Sequence, residues 1–406
     1  MPSVSRFVPI AFVLLSFPAT GRAEVIADWN EKGIQAGVQA RLPPWVQARN
    51  MAILHIAMFD AVNSIDRRYT PHRIQRSAPE GTSRDAAAAA AAHLALVRLY
   101  PAQAQEIDAS YTKAIAAIPA GAPKSNGLRL GEEVATEHLV LRANDGAGAP
   151  NRYRPHTSAG MYVPTGFPVA SSWGQVTPFA LAKGSQFRPA APYSLQSDEW
   201  ARDYREVQKL GAKIGSSRTA EQTDIARFWE ATGPVLHNPV LRQLAATKPF
   251  DLLDNARLYA LYSVAMADVL IAVFDAKYTY AFWRPVTAIR NGGMGGHGGL
   301  EAEAGWEPFI DTPLHPEYPC AHCISSSAAA AVLEAFFGDA VPTFTMSSPT
   351  APGVTRTFSR LSDYVKESID ARVYDGVHYR TSGEVGASMG RKIGEYTVQT
   401  QLKPIR

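Results

Sequence analysis

Three short segments in the last third of the chain gather cations and histidines at spacings suited to holding a small oxyanion. In the first, Lys277-Tyr-Thr-Tyr-Ala-Phe-Trp-Arg284-Pro285, the cations stand seven residues apart, two helical turns, so one helix face could present both. Such a pair alone reads as a solvated charged face, but here it closes a strongly apolar stretch, and partly buried cations require an anion. The second segment, His315-Pro316-Glu317-Tyr318-Pro319-Cys320-Ala321-His322, runs into a helix expected from about Cys323. The free N–H groups and positive end of that helix can hold an oxyanion with His322 beside it. The third places Arg372 six residues before His378. Lys277, Arg284 and Arg372 are thus fixed cations and His322 and His378 titratable partners, the inventory for a tetrahedral or trigonal oxyanion. Tyr278, Tyr280, Phe282 and Trp283 read as packing around the cations, and Arg380 and Asp375 as a surface ion pair.

The elements that must position these residues are helical. After Pro43-Pro44, residues Ala48, Ala52, His55, Phe59 and Val62 recur at spacings of three and four, one buried face of a helix over 45–63. His55 on that face reads as a hydrogen-bonded core histidine. Thr82 or Ser83 caps a second helix that carries seven consecutive alanines, Ala86 to Ala92, a run suited to close helix packing, and stops at Pro101. Further helices are expected at about 102–117, 126–143, 196–213, 218–231, 323–337 and 358–374, with a central, all-round apolar helix over 254–282. Residues 144–195, rich in Gly, Pro, Ser and aromatics, read as a long irregular excursion over the surface. The glycine-rich run Asn291 to Gly299 lacks the flanking strand and Lys-Ser/Thr of a phosphate-binding loop and reads as a lid or connector. With no run of alternating strands and no repeat, the fold class is all-α.

Of 406 residues, 46% are hydrophobic and 19% charged, enough for a large core, and the net charge of +3 excludes a broadly basic nucleic-acid binder. The first 23 residues, with Arg6, the apolar run Phe7 to Phe17 and the ending Gly21-Arg22-Ala23, read as a cleavable signal peptide. Later apolar stretches are interrupted by charge, Leu258 to Phe274 by Asp268 and Ala328 to Phe337 by Glu334, so no stable membrane insertion is expected and the mature chain is expected to be exported, periplasmic or extracellular. The two cysteines, Cys320 and Cys323, leave open a local disulfide, two thiols, a thioredoxin-like redox pair and a zinc site with a histidine.

Taken jointly, K-x6-R-P, P-C-A-H and R-x5-H resemble the three-part signature of the vanadium-dependent haloperoxidases and the type 2 phosphatidic-acid phosphatases, over about 277–382. The segment His55 to Asn63 looks like a helical region of bacterial relatives of the haloperoxidases. The resemblance implies a helical bundle of that type, one or two packed bundles, divided into an N-terminal helical region (24–250) and a catalytic core (251–406). It implies vanadate as cofactor, with phosphate able to occupy the same site. Lys277, Arg284, Arg372, Cys320, Ala321 and His322 would line that anion, Ala321 through its N–H where the family has glycine. His378 would be the metal ligand, or the nucleophile of a phosphatase; His322 the acid and base; Lys277 the polarising cation. Cys320 and Ala321 depart from the family's Ser-Gly, and Ser382 stands where many members have an Asp that orients the histidine. His315 falls where algal bromoperoxidases have histidine. The expected activity is oxidation of bromide or iodide by hydrogen peroxide. The alternatives are a soluble acid phosphatase acting on a phosphate ester through a phosphohistidine, and a degenerate anion binder without turnover.

Overall fold

The computed structural model describes residues 24–405, so the expected signal peptide lies outside the described residues. Among them are thirteen α-helices and one antiparallel hairpin. The first half holds α1 (Glu24–Gln39), α2 (Pro44–Asp66), α3 (Arg84–Leu99), α4 (Ala104–Ala116) and α5 (Ala122–Arg142). After the excursion come α6 (Asp198–Leu210), α7 (Ala220–Phe228), α8 (Pro234–Ala245), α9 (Leu252–Tyr280) and α10 (Pro285–Asn291). The last third holds α11 (Ala321–Phe337), β1 (Ala340–Ser347), β2 (Thr355–Arg360), α12 (Leu361–Tyr374) and α13 (Arg380–Thr400).

Packing follows from small residues. Ser83 caps α3 by accepting the Ala86 N–H at 3.2 Å, and the buried alanines leave room for α5 to approach. At Gly131 of α5 a Cβ would lie 2.2 Å from the Ala87 carbonyl oxygen, so only glycine permits this distance. The same device joins α13 to α11, where a Cβ at Gly390 would meet the Ile324 carbonyl oxygen at 2.2 Å. Helices α2, α3 and α5 pack on one another, α11, α12 and α13 do likewise, and α9 touches α2, α11 and α13. This central helix is long and apolar enough to cross a membrane, with mean hydropathy 1.7, yet 94% of its most apolar window is buried inside the fold. Its burial is that of a core helix.

The excursion over 144–195 is irregular, with two short turns of 3-10 helix, and it is anchored. Asp268, fully buried in the middle of α9, accepts the N–H groups of Phe179, Ala180 and Leu181 at 2.7, 2.8 and 2.9 Å. Further along, Tyr162 N–H donates to the Ala281 carbonyl and Val169 N–H to the Leu314 carbonyl, which ties the excursion to the ends of the site loops. The β1–β2 hairpin was not expected: the helix placed at 358–374 begins at Leu361, because Phe358 pairs with Phe344 across the two strands. His55 is the core histidine expected, fully buried with Nε2 2.9 Å from Asn30 Nδ2.

Candidate active site

Lys277 lies in the last turn of α9, which stops because Ala281 takes a left-handed conformation (φ +46°) and returns its N–H to the Lys277 carbonyl. Arg284 therefore does not share a face of α9 with Lys277. It is the residue before α10, with Pro285 opening that helix, and the turn between them brings the two cations together instead. Phe282 and Trp283 fill the turn and pack with Trp200 and Tyr379, the bundle packing expected of them. The loop 315–320 enters α11, whose first residue is Ala321. His378 follows α12 and donates its backbone N–H to the Arg372 carbonyl at 3.2 Å.

All seven residues expected at the site meet here, and Lys277, Arg284, Cys320, Arg372 and His378 are at most 1% exposed. Lys277 Nζ donates to the carbonyls of Pro316 and Glu317 at 2.8 and 2.7 Å, fixing the loop before α11. Arg284 donates from Nε to the His315 carbonyl (2.9 Å), from Nη1 to the Val377 carbonyl (2.8 Å) and from Nη2 to His315 Nδ1 (3.0 Å). Its Nη1 also lies 3.2 Å from His378 Nε2. Arg372 donates to the Trp229 carbonyl at 2.9 Å and pairs with Asp375 at 2.5 Å. Asp375 is fully buried, so it is no part of a surface pair; Arg380 binds Glu206 and Asp370 instead. Glu317, also fully buried, brings Oε1 to 2.7 Å from His378 Nδ1 and accepts the Tyr379 N–H at 3.2 Å. In the sequence Glu317 is a loop residue without an assigned role, and a carboxylate amid cations in apolar surroundings is the signal that points to it.

Burial, followed by the fields of Arg284, Lys277 and Arg372, holds His378 well below the ordinary histidine range. Burial and Arg372 do the same to His322, which is thus a neutral base with Nε2 3.4 Å from the Glu230 carbonyl. Burial lowers Lys277, with Arg284 adding to it, and lowers Arg284 to about 10, still cationic at neutral pH. Burial raises Glu317 to about 7 against the pull of Lys277 and Arg284, and Asp375 to about 7 against Arg372. Arg284 and Arg372, together with Lys277, whose ammonium burial disfavours, therefore face two carboxylates that are themselves reluctant to ionise, and an anion would stabilise the charged form of all three basic side chains. The buried Arg372 Nε has no hydrogen-bond partner, and the first N–H groups of α11, at Ala321 and His322, have no acceptor within the helix. These donors fit an oxyanion.

The sulfurs are two free, buried thiols, not a disulfide, and Cys320 Sγ is occupied in capping α11, accepting the Cys323 N–H at 3.3 Å. Among the described residues no group of three or more His, Cys, Asp or Glu side chains is placed to hold a metal ion, which removes the zinc reading of the pair.

Residues 257–406 match the family model of the VCPO second helical-bundle domain. The chain is similar to the vanadium chloroperoxidase of Curvularia inaequalis, 23% identical over 496 aligned positions that cover 92% of this chain and 81% of that one. Among solved structures, the first bacterial vanadium-dependent iodoperoxidase superposes with a TM-score of 0.81 at 25% identity, covering 96% of this chain and 99% of its own. An apo bacterial vanadium-dependent chloroperoxidase superposes at 0.70 with 18% identity over 88% and 94%, which shows the same fold.

Proposed function

From its similarity to vanadium-dependent haloperoxidases in sequence and in fold, we propose that the chain is an exported, vanadate-dependent enzyme that oxidises bromide or iodide with hydrogen peroxide. The catalytic core would be 251–406, the N-terminal helical region 24–250. The observation that carries this reading is the surplus of buried cations around a neutral histidine: Lys277, Arg284 and Arg372 converge with His378 where the carboxylates are too few to balance them.

Vanadate, held by Lys277, Arg284, Arg372, the α11 N–H groups and His378, would supply a Lewis-acidic centre that activates peroxide without changing oxidation state. The rest of the work falls to the chain. His378 offers an unprotonated Nε2 as ligand, because its burial among cations disfavours the imidazolium. His322, neutral for the same reason and 8% exposed, can take the proton that hydrogen peroxide loses on binding and return it to the leaving oxygen. Lys277, anchored on two carbonyls, keeps one further N–H that would be available to the anion. Buried aromatic residues around the loop, Trp283, Phe282 and Tyr379, keep water from screening these charges.

Bromide and iodide are favoured over chloride by the resemblance of His315 to the histidine of bromoperoxidases, and its ring does sit at Arg284. The test uses mature protein stripped of phosphate. Vanadate-dependent, peroxide-dependent bromination or iodination, abolished by His378→Ala, is the expected result. Hydrolysis of an aryl phosphate that vanadate inhibits would move the protein to the phosphatases, and vanadate binding without either activity would make it a binder.

A further inference from the structure

We propose that Glu317 is the positioning residue of His378, fixing which ring nitrogen carries the proton and so which one faces the anion; the inference deepens the reading above and rests on His378 meeting that anion through Nε2. The donor inventory determines the assignment. A guanidinium can only donate, and Arg284 Nη1 lies 3.2 Å from His378 Nε2, so Nε2 must offer its lone pair. The proton of the neutral ring is then on Nδ1, where Glu317 Oε1 stands at 2.7 Å to accept it. The same oxygen accepts the Tyr379 N–H at 3.2 Å, so Glu317 is held as an acceptor by the residue next to the one it orients.

Glu317 is in turn placed from both sides. Its backbone N–H donates to the Phe282 carbonyl at 2.9 Å, and its carbonyl accepts from Lys277 Nζ at 2.7 Å. Glu317 thus links, through its backbone, the end of α9 and the turn after it to the loop before α11, and, through its carboxylate, that loop to the histidine after α12. The departure at Ser382 left the orientation of His378 without an evident carboxylate in the sequence; the structure supplies one from a different segment. Partners that orient a metal-ligating histidine typically change affinity about 10- to 100-fold when removed.

The decisive measurement is long-range 1H–15N correlation of the full mature protein labelled at histidine nitrogens, without vanadate, with the His378 resonances assigned by their loss in His378→Gln. The wild type is expected to show His378 as the Nδ1–H tautomer. Glu317→Gln, which keeps an acceptor, should retain that tautomer and bind orthovanadate and phosphate within about threefold of wild type. Glu317→Ala should shift His378 toward Nε2–H and weaken both anions by at least about tenfold. A wild-type Nε2–H tautomer overturns the proposal by itself, even if Glu317→Ala fails to fold, as does a folded Glu317→Ala with unchanged tautomer. A wild type that binds no vanadate but shows the expected tautomer and its loss in Glu317→Ala would sink the haloperoxidase reading and leave Glu317 in this role.

Discussion

Arg284 holds His315 at two points, Nε on its carbonyl at 2.9 Å and Nη2 on its ring Nδ1 at 3.0 Å. The second contact makes His315 Nδ1 an acceptor, and burial with the fields of Lys277 and Arg284 keeps the ring neutral enough to serve. The cation is therefore partly satisfied by the protein itself, and its remaining capacity is shared between His378 and whatever anion enters.

His315→Ala should expose that sharing. Nη2 loses its acceptor, and an unsatisfied buried donor costs about 1–3 kcal/mol, so the anion-free variant should melt below wild type. Phosphate can offer the freed donor a new oxygen. The rise in melting temperature on adding phosphate should then be larger in the variant than in wild type; an equal rise would mean that Nη2 does not reach the anion.

Asp268→Asn tests the anchor of the excursion. A carboxylate accepts three N–H groups here, from Phe179, Ala180 and Leu181, whereas an amide has one acceptor oxygen and points donors at the others. The variant should be destabilised by about 1–3 kcal/mol, and hydrogen exchange should quicken at 179–181 before it does elsewhere. Unchanged protection of those three amides would show that the rest of the excursion suffices to hold it.

Asp268 and Glu317 mark the limit of what the sequence makes legible. Periodicity and caps located most helices to within a few residues, since α3 stands on Ser83 and α9 on an apolar run that no surface helix would carry. The cations and histidines were legible because their types are rare in apolar surroundings. Asp268 as an anchor and Glu317 as a partner of His378 were not, because each acts on a segment distant in sequence: 87 to 89 residues away for Asp268 and 61 for Glu317. The hairpin was missed because few of its residues alternate cleanly, and its β1 register is irregular between Ala340 and Phe344. Helix geometry misplaced Arg284, since two turns of spacing say nothing of a left-handed residue at Ala281 between them.

Acid should act on this core through buried His55. Burial lowers it from 6.5 to about 3, so in that window the unfolded chain binds a proton that the folded one refuses. Its contribution to stability is complete above about 6.5 and is lost as pH falls toward 3, at up to about 1.4 kcal/mol per pH unit. Asp268, raised to about 6, has the opposite sign: its folded form gains the proton first, so it offsets part of that loss as pH falls from 6 to 4. His55→Gln should therefore be penalised less, relative to wild type, at pH 5 than at pH 8 in urea denaturation. The same penalty at both values would mean that His55 does not resist protonation.

Cys320→Ser carries the last prediction, since the sulfur both caps a helix and stands among the cations. Burial alone would raise its pKa, but the Cys323 thiol, Arg372 and Lys277 overcome that and draw the thiol below its ordinary range. As pH rises through neutrality, ionisation therefore adds a negative charge beside the anion site and weakens anion binding. A serine hydroxyl does not ionise there, and it is the better cap for the Cys323 N–H, worth up to about 1 kcal/mol. At pH 6, where the wild-type thiol is protonated, the variant should melt higher, and it should bind sulfate, whose charge is constant between pH 6 and 8, more tightly than wild type, with the affinity gap widening toward pH 8. Calorimetric titrations at the two pH values decide it: parallel affinities would show that the Cys320 thiol stays protonated and that its place among the cations is electrostatically silent.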